Sequence, residues 1–286
     1  MDELRRRRGQ GYLTDLRAEL RRCWSAPYEV PACVAINGVL VLVLWWFAPV
    51  GLFDMFFTLH GELALPMVLA SWMYADVPAT NLLGSDAVQM RAALDDPARL
   101  RRLMDVKNVA LWLFVTPLAL VATVAVVLAY RSGADLPGTP LPADTQILPL
   151  VLVAMVWILV APLGALGVAA WVGILFPYHP LPLRARWADR QPWRQRVLRW
   201  AVLVVVPYGV VPACVGVVVL PSLLYWHFNL SSGLSNPVSA GEFALGTAIT
   251  GVCSVVMLLV GRQVAVRLVA RRRDALDAYL ADPSLG

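Results

Sequence analysis

Apolar stretches of about 20 residues, set apart by short segments crowded with arginine, limit what this chain can fold into more than any other feature. A helix needs about 20 apolar residues to cross the hydrocarbon of a bilayer. In lipid, helices and closed barrels alone can satisfy every backbone N–H and C=O. Hydrophobic residues make up 59% of the 286 positions and charged ones 15%, against roughly one quarter charged in a soluble domain. The chain therefore reads as an all-α, polytopic membrane protein with six transmembrane helices. Spans are predicted near 33–53, 55–75, 108–129, 148–176, 201–226 and 241–261, inside a transmembrane domain over 32–266.

Charge gives the orientation. Of the 24 Lys and Arg, 23 fall before residue 31, within 76–107, within 177–199 or after 261, and Arg131 alone falls elsewhere. Short loops rich in Lys and Arg stay cytoplasmic, so both ends and both long polar loops are placed inside (N-in/C-in). The basic residues are almost all arginine, and Ala, Val and Leu dominate the apolar part. That bias fits a GC-rich bacterial genome and hence the cytoplasmic (inner) membrane of a bacterium. No short apolar region with a small-residue cleavage site closely follows Arg5 to Arg8, so no cleaved signal peptide is expected.

Residues 1–31 carry Tyr12, Leu13, Leu16, Leu20 and Trp24 at helical spacing between charged residues. This predicts an amphipathic helix lying in the membrane surface; a cytosolic helical tail is the plainer alternative. Between the second and third spans, Ser85 or Asp86 can cap one short helix, and Asp96 before Pro97 begins a second. The segment 131–146 is a loop by its Pro, Gly, Asp and Thr content. The fourth span carries Ala161, Ala165, Ala169 and Gly173 at four-residue spacing, a stripe that lets another helix approach. A cytoplasmic helix closes the chain within 267–286.

His60 and Glu62 are the ionisable pair deepest in apolar sequence. An intramembrane carboxylate is costly and therefore a functional candidate; a position near the headgroups or a role in helix packing would also account for both. Asn37 could line the same pathway or bond between helices. Cys23, Cys33, Cys214 and Cys253 lack metal or CxxC spacing and read as small hydrophobes. The chain has no GxxxxGK[ST] loop to cradle nucleotide phosphates, and no HExxH or GxSxG. No catalytic residue, bound metal or cofactor, and no nucleic-acid partner, is expected.

The layout of amphipathic helix, six spans, a helical insert after the second and a shorter basic segment after the fourth resembles the permease subunit of ABC-2-type ABC exporters. Within it, Asp76 to Asn81 and then Asp95 to Lys107 look like the family stretch where a cytoplasmic segment precedes a lysine at the third span. Gly167 to Arg184, ending Leu-Phe-Pro-Tyr-His-Pro-Leu-Pro-Leu-Arg, looks like the exit from the fourth. The neutral loop after the fifth span departs from the pattern, since it lacks the helical hairpin some exporters carry there. The resemblance implies a separate ABC ATPase subunit holding ATP and Mg, and a second permease copy or homologue in a homo- or heterodimer embedded in lipid. An amphipathic or hydrophobic substrate would move outward. It also implies that Ser85, Asp86, Arg91, Arg99, Arg101 and Arg102 couple the chain to the ATPase. The competing classes are an integral membrane enzyme or assembly protein acting on lipids, which would need charged catalytic groups at one membrane face, and a secondary transporter, which would favour midplane carboxylates and an internal repeat.

Overall fold

In the computed structural model, the structure describes residues 11–25, 28–47, 83, 86–133, 147–175, 177, 224–225, 228 and 240–282. The described segments are helical: α1 (Tyr12–Cys23), α2 (Glu29–Phe47), α3 (Ala87–Arg91), α4 (Pro97–Arg131), α5 (Ile147–Leu175), α6 (Ala240–Arg271) and α7 (Arg273–Ala281). The predicted second span lies outside the described residues, as does the fifth apart from 224–225. Among the described residues, three helical stretches are long and apolar enough to cross a membrane: Pro97–Ala129, Met155–Leu175 and Ala244–Arg271. They mark the chain as an all-helical, membrane-embedded protein. Val30–Leu40 of α2 is a shorter apolar helix.

α4 corrects one expectation. Asp96 does cap a helix, its Oδ1 accepting from the Ala98 and Arg99 N–H groups at 3.1 Å each. That helix is no short insert; it runs unbroken from Pro97 to Arg131. The reason is local: no Gly or Pro occurs between Pro97 and Pro117, and Leu100, Leu103 and Met104 carry an apolar face straight into the span. At about 1.5 Å per residue the 35 residues of α4 reach roughly 52 Å, far more than the ~30 Å of a hydrocarbon core. α6 likewise continues ten residues past the expected end at 261, to Arg271, before the turn at Arg272.

α5 and α6 form the tightest seam, and they run in the same direction. Gly164 lies against Ser254 and Met257, Gly167 against Met257, Leu258 and Gly261, and Ala170 and Ile174 pack in one cluster with Ala265 and Val266. At Gly167 the backbones touch: a Cβ there would sit 2.5 Å from the Met257 oxygen, and one on Gly261 would overlap the Gly167 carbonyl. The expected small-residue stripe through Ala165 and Ala169 is buried too, but Gly164 and Gly167 make the closest approach. α4 packs antiparallel to α5, with Ala119 against Ile158 and Leu100 in the same cluster as Ile174. Trp112 Nε1 donates to the Leu159 oxygen at 3.1 Å, in the turn before Pro162, where the proline ring loosens the helix's own ladder.

Beyond the apolar stretches, the first turns of α4 and the last of α5 and α6 gather with α1, α3 and α7 into a head. Its own apolar core holds Leu83, Met90, Leu100, Met104, Leu276 and Leu280 together with Ala170 and Val269. Arg272 Nη1 ties α7 to α5 by donating to the Ile174 oxygen at 3.0 Å and the Leu175 oxygen at 3.2 Å. Those carbonyls end a helix and have no partner within it, so a cation there also meets the negative end of the dipole.

Candidate functional site

A cavity of about 450 Å³ lies in the head, between α1, the start of α3 and the first three turns of α4. Each wall follows from a local rule. Asp86 begins α3, its Oδ1 accepting from Gln89 N–H at 3.1 Å, the bond expected of an N-cap. Asp96 does the same for α4, which brings Arg99, Arg102 and Lys107 round one side at three- to five-residue intervals. Opposite them stand Asp15, Glu19 and Arg22 of α1.

The structure shows what α1 packs against. α1 leans along α4: Asp15 pairs with Arg102 at 2.6 Å, and more than two turns further on Trp24 packs against Phe114 with ring centroids 5.1 Å apart and planes tilted by 40°. Glu19 and Cys23 are buried, while Leu13 and Trp24 are exposed. Asp15 and Glu19 turn inward because the α4 surface opposite is itself cationic, and a carboxylate gains more from those partners than from water.

Glu19 shows the balance of forces. Burial raises its pKa, but the hydrogen bond from Arg22 and the positive charges of Lys107 and Arg22 outweigh that and hold the carboxyl below its ordinary range. Arg22 Nε reaches Glu19 Oε2 at 2.9 Å. Next to them burial pushes the Cys23 thiol up to about 11, with Glu19 adding to the effect and Arg22 and Lys107 opposing it, so the sulfur stays protonated and unreactive. Lys107, 5% exposed, lines the cavity one residue before the predicted start of the third span.

A second set of charges fastens α7 over the outside of the head. Arg91 binds Asp277 through Nε at 2.7 Å and Nη2 at 3.2 Å, and Arg273 binds Asp95, its Nη2 at 2.8 Å. The arginine hydrogen bonds lower the pKa of both carboxyls. Nearer the spans, Arg262 of α6 pairs with Asp105 of α4 at 2.9 Å.

Of the residues singled out for coupling, Asp86, Arg99 and Arg102 line the one cavity. Arg91 faces α7 instead, and Arg101 is half-buried on α4 outside the cavity lining. Asn37 is buried on α2, and Ser85, His60 and Glu62 lie outside the described residues. Sequence reasoning missed Asp15, Glu19, Arg22 and Lys107 as a set. The available signal was the spacing of 15, 19 and 22 on one helix face, together with a lone lysine at the foot of a span. Among the described residues no group of three or more His, Cys, Asp or Glu is placed to hold a metal ion.

Comparison with protein-family models, curated proteins and solved structures finds no match to this chain. The fold therefore defines a class, that of helical proteins embedded in a membrane, with a charged head at one end of the bundle. What the protein does within that class rests on its own residues.

Proposed function

We propose that this chain is the membrane subunit of an ATP-driven exporter of the ABC-2 kind, working with a separate ATPase and a second permease copy in a bacterial cytoplasmic membrane. The observation that carries the reading is the continuity of α4 and α6 from apolar stretch into head, where Arg262–Asp105 and the core around Leu100, Met104 and Val266 join them. Helices that leave the bilayer without a break act as levers: a push on the head from a soluble motor tilts them as rigid rods rather than bending a loop. The parallel run of α5 and α6 is also what a fifth span between them requires. Gathering α1, α3 and α7 at one end agrees with the sorting of arginines to the cytoplasm.

In this account Arg99, Arg101 and Arg102 are the coupling residues, set on the first turns of the α4 lever. Triple replacement by alanine is expected to leave the protein inserted but to break the link between ATP hydrolysis and transport. Purification in mild detergent is expected to bring down an ATPase with a GxxxxGK[ST] loop. Recovery of a single-component protein with activity of its own would end the exporter reading.

A further inference from the structure

We propose that the cavity between α1, α3 and α4 seats the headgroup of a zwitterionic phospholipid of the cytoplasmic leaflet, its phosphate on Arg99 and Lys107 and its amine on Asp86 and Asp96. The proposal rests on α4 crossing the bilayer and does not depend on the exporter reading.

Depth is the first argument. Lys107 lines the cavity, and the apolar run of α4 begins with the next residues, so the cavity lies at the level that headgroups occupy around a spanning helix. Exposed Trp24, tilted against Phe114 of α4, is an aromatic at the level where indole rings collect at the interface.

Charge is the second. The lining carries four cations (Arg22, Arg99, Arg102, Lys107) and four carboxylates (Asp15, Glu19, Asp86, Asp96). Arg22 with Glu19 and Arg102 with Asp15 form ion pairs across the α1 side. Arg99 joins no ion pair among the described residues, Asp96 accepts from two backbone N–H groups, and Asp86, also bonded to a backbone N–H, feels the charges of Lys107 and Arg22. Separated charges of both signs around a space of small-molecule size suit a ligand that is itself a phosphate next to an ammonium. A lipid with phosphate and no amine would meet the two aspartates unpaired, and a quaternary amine could not donate hydrogen bonds to them.

The test uses the full chain in vesicles of equal phosphatidylethanolamine, phosphatidylcholine and phosphatidylglycerol. Insertion is first checked by resistance to carbonate extraction, since a stripped chain would refute the spanning of α4 and not the chemistry of the cavity. Lipids kept through mild detergent are then counted by native mass spectrometry. Phosphatidylethanolamine is expected to be retained about fivefold over each of the others, the factor that one modest ion pair supplies. Asp96→Asn keeps a capping side chain and removes the charge, and is expected to abolish the preference over phosphatidylglycerol. Arg99→Gln is expected to lower retention of every phospholipid. Equal or greater retention of phosphatidylglycerol by the unaltered chain, displacement of all lipid by inorganic phosphate with no preference among the three, or a preference untouched by both variants would overturn the proposal.

Discussion

The α5–α6 seam and the charged head are held together by opposite means, although they share two helices. In the seam, glycine brings backbone onto backbone and polar groups contribute little: Gly167 meets Gly261 with no room for a Cβ. In the head, α3 and α7 share an apolar core, and ion pairs that reach far across the sequence, such as Arg91 to Asp277 and Arg102 to Asp15, fasten α7 and α1. The solvent explains the difference. Between helices in lipid there is no hydrophobic driving force, so close packing of small residues is what association can use. At the water-facing end burial of Leu and Met regains its usual worth, and charges serve to orient the pieces.

The largest effect should come from breaking the seam. Gly261→Leu puts a side chain where the Gly167 backbone stands, and overpacking of that kind is expected to cost about 3 kcal/mol; thermal unfolding followed by size exclusion in detergent reads it. Met104→Ala, which empties a fully buried position in the head core, should cost about 2 kcal/mol and should raise hydrogen exchange in α3 and α7 while sparing the seam. Equal loosening of both regions by either variant would show that they are not separate units.

Acid sharpens the comparison further. The pKa of Glu19 is lowered in the folded chain, so its contribution is present at neutral pH and is lost as pH falls from its ordinary 4.5 through the lower folded value. Proteolysis of α1 should therefore quicken below about pH 4.5 with the seam intact, and Glu19→Gln should remove that step. The smallest effect is expected for Arg273→Ala: its pair with Asp95 is exposed, so a slight fraying of α7 at low salt should vanish at high salt.

The apolar runs that become α4, α5 and α6 could be read directly, because an uninterrupted stretch of Val, Leu and Ala leaves a chain in lipid few choices. The fusion of the 97–107 segment with the third span was harder to see, since Asp96-Pro97 announces a start and continuity is signalled only by the lack of Gly and Pro up to Pro117. The partner of α1 could not be read for a related reason. Amphipathicity gives two faces, and which one turns inward depends on the partner: Arg99, Arg102 and Lys107 of α4 drew Asp15 and Glu19 inward and left Leu13 outside. Asp86 and Arg99 were singled out one by one, but their meeting across a cavity needed the fold.

The central claim is that α1, the start of α4 and α7 share one face of the membrane while the far end of α4 emerges on the other. In a background with the four native cysteines replaced by alanine, single cysteines at Arg21, Ala278 and Ser132, all exposed, can be labelled with an impermeant maleimide in intact cells and in inverted vesicles. Labelling of Ser132→Cys only from outside, and of Arg21→Cys and Ala278→Cys only from inside, is the predicted result. Labelling of all three from one side, or of Arg21→Cys and Ala278→Cys from opposite sides, would contradict it.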